Sequence, residues 1–183
     1  LDWKEKTKAV STKVPRAVGF LKHAKTFLPK ESLKTLYTGI VEPHLRYCCS
    51  VWGCAGSTEI DRLQKLQNRA ARIITNSSFD TPSRPLIEEL GWKTIEELIG
   101  NESKTMVFKS LNDLAPQYLC NLFTKNSECS SRSLRNTVTD LKLPKKKSAN
   151  GQQCFSFRGA KLWNSLPAES KTASSLNSFK KSI

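Results

Sequence analysis

Apolar residues recur at intervals of three and four along most of the chain, the repeat of amphipathic helices. Val10, Val14, Ala17, Leu21, Ala24 and Leu28 mark a first segment, and Leu33, Leu36, Tyr37, Ile40 and Val41 a second that starts near Glu31. Ile60, Leu63, Leu66, Ala70, Ile73 and Ile74 mark a third, and Ile95, Leu98, Ile99, Met106, Val107 and Leu111 a fourth. The predicted fold class is therefore all-α. Breakers and caps delimit the elements. Pro15 removes an amide donor inside the first segment and crowds the Ser11 carbonyl, which predicts a kink or two shorter helices. Pro29 ends that segment, and Gly39 with Pro43 predicts a bend after the second. Gly53 and Gly56 permit the next turn, Pro82 and Pro85 punctuate the following loop, and Gly91 is placed as a helix C-terminal cap. Thr94 and Glu97 form a capping-box pair opening the fourth helix, which Asn112 to Pro116 stop.

The helix after Gly56 is the most sharply two-faced. Arg62, Lys65, Arg69 and Arg72 follow one another at spacings of three, four and three. At about 100° per residue they occupy an arc separate from Leu63, Leu66, Ala70 and Ile73. Thr58 with Asp61 fits a second capping box, with Glu59 and Asp61 near the positive end of the helix and Arg72 near the negative end. On periodicity alone such a stripe is the ordinary solvated face of a core helix. The first segment is also basic, with Lys8, Lys13, Arg16, Lys22 and Lys25 interspersed.

Charge raises the interest of these faces. Thirty Lys and Arg stand against sixteen Asp and Glu, a formal charge of +14 in 183 residues, which suits a polyanionic partner and makes nucleic acid the leading class. The longest uncharged run, about Tyr47 to Thr58, falls well short of the roughly 20 apolar residues that span a bilayer, so no membrane role is predicted. No secretory signal opens the chain, and an intracellular setting, nuclear or cytoplasmic, is expected. Leu1 leads directly into a charged segment, which reads as a piece of a longer polypeptide.

Six cysteines, at 48, 49, 54, 120, 129 and 154, contain no Cys-x-x-Cys pair. His44 and Cys48, four apart, with Cys54 nearby, have the best metal-ligand spacing. Small buried hydrophobes are the commoner meaning of such cysteines, and neither a metal nor a cofactor is predicted. Trp52 reads as core. The carboxylate pairs Glu88–Glu89 and Glu96–Glu97 are helix neighbours pointing about 100° apart, an arrangement for solvent rather than for shared acid–base work.

From Thr124 to about Gln153 the composition shifts to Ser, Asn, Thr and Lys, including LPKKK at Leu143 to Lys147, which predicts a flexible connector. Phe155, Phe157, Leu162, Trp163 and Leu166 then make an apolar cluster, onto which Leu176, Phe179 and Ile183 are expected to fold as a terminal helix. The expected divisions are 1–76, 77–123, 124–153 and 154–183.

The words LYTGIVEPHLRYCCSVWG and LQKLQNRAARIIT, from Leu36 to Thr75, resemble the segment just beyond the polymerase palm in reverse transcriptases of non-LTR (LINE-type) retrotransposons. Further words of that family follow in order: LIEELGW from Leu86, FKSLNDLAPQYL from Phe108, SLRN from Ser133, LKLP from Leu141 and SFRGAKLWNSLP from Ser156. Trp3 resembles the family's entry into the thumb, without the histidine that usually follows. The resemblance implies a helical thumb over 1–76 that grips a primer–template duplex of RNA and DNA beside the palm of the parent polypeptide. It makes Arg62, Lys65, Arg69 and Arg72 candidate phosphate contacts, with Lys22 and Lys25 behind them. Relatives usually carry basic residues where this chain has Gly100-Asn101-Glu102-Ser103, a departure that counts against a contact there. The family's polymerase signature, Tyr or Phe, any residue, then Asp-Asp, is absent: Asp2, Asp61, Asp80, Asp113 and Asp140 are all isolated. No Walker loop, Gly-x-Ser-x-Gly or His-Glu-x-x-His occurs, so no catalytic residue is predicted. The alternative reading is a relic or co-opted protein-interaction module in which the charge serves solubility.

Overall fold

The computed structural model describes residues 4–129 and 139–183. Trp3 and the word at Ser133–Asn136 lie outside the described residues. The fold is all-α: the described residues hold thirteen helices or helical turns, no named strand, and one isolated antiparallel bridge between Lys125 and Leu141. The chain divides into two compact units, Leu1–Ile99 and Gly100–Ile183, each with its own core.

In the first unit, α1 (Lys4–Ala24) buries Val10, Val14, Val18 and Leu21. It is not divided at Pro15. The helix continues through the proline with Val14 and Val18 fully buried on either side, so packing outweighs the roughly 3 kcal/mol that an interior proline costs. The chain then forms α2 (Lys30–Ile40), α3 (Glu42–Arg46) and α4 (Cys49–Trp52). The bend predicted from Gly39 and Pro43 falls at Val41, the shared cap of α2 and α3, with Pro43 in the first turn of α3. Trp52 is buried and donates its indole N–H to the Tyr47 carbonyl at 2.7 Å. Gly53 is required by space: a Cβ there would run into the Ile99 side chain and the Cys49 carbonyl.

The long helix α5 (Ser57–Thr75) packs against α1, α2 and α6 (Ser83–Glu89). It starts at Ser57, capped by Gly56 without a side-chain bond. The predicted Thr58–Asp61 capping box is therefore not what opens it, because Thr58 already lies inside the first turn. Asn76 closes it in the left-handed conformation at φ 57°, and the Ser77 amide returns to the Arg72 carbonyl at 3.0 Å. Gly91 (φ +71°) closes α6, with its amide on Glu88 O at 3.0 Å and the Trp92 amide on Ile87 O at 2.9 Å. Those two bonds are the Schellman pattern, for which a residue without Cβ is best suited. The Thr94–Glu97 box forms as predicted at the head of α7 (Ile95–Leu111): Thr94 N–H donates to Glu97 Oε2 at 2.8 Å, and Glu97 N–H to Thr94 Oγ1 at 3.3 Å. The amide bond from Thr94 holds the Glu97 carboxyl below its ordinary pKa.

The second unit is built from the remainder of α7, the turns α8 (Gln117–Cys120), α9 (Asn126–Cys129) and α10 (Ala149–Gln152), then α11 (Phe155–Asn164), α12 (Ala168–Lys171) and α13 (Leu176–Lys181). Its core is aromatic. Phe179 stacks on Phe108 at 4.5 Å between centroids and lies 5.8 Å from Trp163, while Phe123 meets Phe155 edge-on at 5.5 Å. The terminal helix folds back onto the cluster as the apolar spacing predicts. Gly159 lets α11 approach closely, since a Cβ there would come 2.9 Å from Val107 Cγ2 and 3.2 Å from Phe123 Cζ.

Thr139 to Leu141, inside the stretch read from composition as a connector, is tied to this unit by side chains. Asn164 accepts from the Leu141 amide at 2.8 Å and donates to the Leu141 carbonyl at 2.9 Å, and Trp163 donates to the Thr139 carbonyl at 2.9 Å. The buried Lys171 ammonium pairs with Asp140 at 2.7 Å and also reaches the Asn164 carbonyl at 3.1 Å. An ammonium taken out of water is tolerable with such partners and costly without them.

Candidate nucleic-acid interface

Helix α5 carries the candidate site, and its inner face explains why its outer face is fixed. Leu63, Ala70, Ala71 and Ile74 are buried, while Leu66 and Ile73 pack half-buried at the edge of the same core. The apolar pattern does not reveal Gln67, which is buried too. Its amide N–H₂ donates to Tyr37 Oη at 3.2 Å and to the Lys93 carbonyl at 3.0 Å, and its oxygen accepts from Gln64 Nε2 at 2.9 Å. Gln64 Oε1 in turn accepts the Ile95 amide at 2.8 Å. Two glutamines thus pin α5 to α2 and to the head of α7, and the Tyr37 ring stacks on Trp92 at 3.7 Å. Burial pushes the Tyr37 phenol well above its ordinary pKa, so it stays neutral. Substituting Gln67 by Ala strands these buried partners and is expected to cost about 1–3 kcal/mol, read from the midpoint of urea unfolding.

On the outer face, Arg62, Lys65 and Arg69 are exposed. Arg62 pairs with Glu59 of the preceding turn at 3.2 Å. Lys65 and Arg69 have no partner among the described residues. One carries an ammonium and the other a guanidinium, on residues set about 6 Å apart along the axis by the 1.5 Å rise per residue. Arg72 is placed differently. Its Nε and Nη2 donate to the Thr81 carbonyl at 3.1 and 3.0 Å, and its guanidinium lies 5.7 Å from the centre of the Phe79 ring. Lys22 lies exposed in the last turn of α1, and Lys25 half-buried in the turn after it. α1 packs on α5, but neither lysine lies on the helix that bears the stripe.

Other chemistry does not converge. Among the described residues no group of three or more His, Cys, Asp and Glu is placed to hold a metal ion. Cys48 adopts φ 54° between α3 and α4, so the helical face on which His44 and Cys48 would have met is not formed. A cleft of about 370 Å³ beside Tyr37 and Trp92 is bordered by Lys34 and Arg46, but each has a carboxylate at 3.4 Å, from Glu31 and Glu42 respectively. No helix among the described residues is long and apolar enough to cross a membrane.

Two curated relatives share part of this sequence. Over 69 residues, 38% of the chain, it is 33% identical to a probable RNA-directed DNA polymerase from transposon X-element of Drosophila melanogaster. Over 84 residues, 46% of the chain, it is 30% identical to a probable RNA-directed DNA polymerase from transposon BS of the same organism. These matches span 8% and 9% of the two relatives' lengths. Neither a protein-family model nor a solved structure matches the chain. Part of the chain is thus related to transposon polymerases.

Proposed function

We propose that this chain is a thumb-containing portion of a retrotransposon RNA-directed DNA polymerase, non-catalytic by itself, that grips a primer–template duplex by its phosphate backbone. The observation that carries the reading is the outer face of α5. Lys65 and Arg69 stand exposed there without a partner among the described residues, with Arg62 in the turn before them, on a helix whose opposite face is anchored in a core. A net charge of +14 supplies the long-range attraction that brings a polyanion to such a face. Contacts of this kind set the position of a duplex without reading its sequence. In this reading residues 1–76 form the thumb, Lys22 and Lys25 add charge from the end of α1 and the turn after it, and the Asp-Asp palm belongs to the parent polypeptide.

The test is binding of the chain to an RNA–DNA hybrid over a salt series. Substituting Lys65 and Arg69 together by Ala is expected to weaken hybrids of unrelated sequence equally. The slope of log affinity against log salt should fall by about 0.9 per lost phosphate contact, or about 1.8 for the pair, using the value for B-form DNA. An unchanged affinity and slope, with helicity retained, returns the stripe to a solvated face and leaves the interaction-module reading standing.

A further inference from the structure

Arg72 spends two of its donors on the Thr81 carbonyl, and its guanidinium lies over Phe79. That ring is 86% exposed, the most open of the large apolar side chains among the described residues. An exposed phenylalanine in a polar loop gains nothing from burial. The turn that bears it is nevertheless well ordered by local bonds: Ser78 Oγ to Thr81 Oγ1 at 2.9 Å, the Thr81 amide to the Ser78 carbonyl at 3.3 Å, and Thr75 Oγ1 to Ser77 Oγ at 2.8 Å. Asn76, in the left-handed conformation, turns the chain out of α5 directly before it. Arg72 follows Arg69 by three residues, so the ring it touches stands at the C-terminal end of the cationic stripe.

We infer that Phe79 is a stacking platform for an unpaired nucleobase, held by Arg72 at the end of the phosphate-binding face of α5. The inference rests on the function proposed above. Within a duplex each base is already stacked on both sides, so a protein ring gains a base only where the duplex ends and a single strand begins. Every base has a π-face, and stacking of this kind tolerates any sequence. The combination of a backbone-tracking cationic surface with an aromatic at its end is the chemistry of single-strand binding. Arg72 lying against the ring limits its orientations and so lowers the entropy lost on stacking.

The experiment compares two RNA–DNA hybrids bound to the full chain, one blunt and one with a short single-stranded overhang carrying 2-aminopurine next to the junction. Phe79→Ala is expected to weaken the overhang hybrid about five- to 150-fold, the range for loss of one base–aromatic stack, and to leave the blunt hybrid within about twofold. Phe79→Trp should restore the overhang preference, and 2-aminopurine should be quenched by the native and Trp proteins but not by the Ala variant. Equal loss on both hybrids, or no loss on the overhang, overturns the inference and frees the ring for a protein contact. Lys65→Ala with Arg69→Ala, run on the blunt hybrid, separates the two readings. If that pair weakens the blunt hybrid while Phe79→Ala has no selective effect, the platform alone is wrong. If the native chain binds neither hybrid in a salt-dependent way, both readings fall.

Discussion

Replacing Phe179 by Ala is expected to cost about 3–5 kcal/mol, the range for deleting a buried aromatic ring. The ring has no exposed surface and is stacked on Phe108, which lies far from it in sequence, and close to Trp163. Its loss opens a cavity among large rigid rings that cannot collapse onto a methyl group. Urea unfolding followed by circular dichroism should reveal a destabilised second unit, while Lys180→Ala on the same short helix, exposed, should change stability by no more than about 0.5 kcal/mol. A loss below about 1 kcal/mol for Phe179→Ala would mean that the terminal helix does not help hold this core.

The second large effect is expected at Leu63. It is fully buried on α5, so Leu63→Ala should cost about 2–5 kcal/mol, whereas Lys65→Ala should stay within about 0.5 kcal/mol. Leu66, three residues on and only half-buried, should cost less than Leu63. A helix that tolerated Leu63→Ala yet unfolded on Lys65→Ala would have its faces assigned the wrong way round.

The helices were legible because their apolar spacing is strong and their ends carry local chemistry, as at Gly91 and the Thr94–Glu97 box. What escaped the pattern is polar or long-range. Gln64 and Gln67 look like surface residues, since nothing local announces that Tyr37, Lys93 and Ile95 will come to meet them. Pro15 reads as a breaker, but the burial of Val14 and Val18 decides the outcome. At the candidate site, the exposure of Arg62, Lys65 and Arg69 follows from helical phase, while the diversion of Arg72 depends on how the Ser77–Pro82 turn closes. The words singled out in the sequence, opaque as strings, gain a structural meaning. Tyr37 of the first word stacks on Trp92 of LIEELGW, and Asn164 of the closing word brackets Leu141 of LKLP.

The bridge between Lys125 and Leu141 also shows how much of the second unit leans on one residue. The Asn164 side chain holds both the amide and the carbonyl of Leu141, Lys125 is set against Leu141, and the Asn164 backbone carbonyl receives the Lys171 ammonium. One amide side chain thus acts as a keystone between α11 and two segments that precede it in the chain, so trimming it to a methyl group would loosen all of them together rather than one alone.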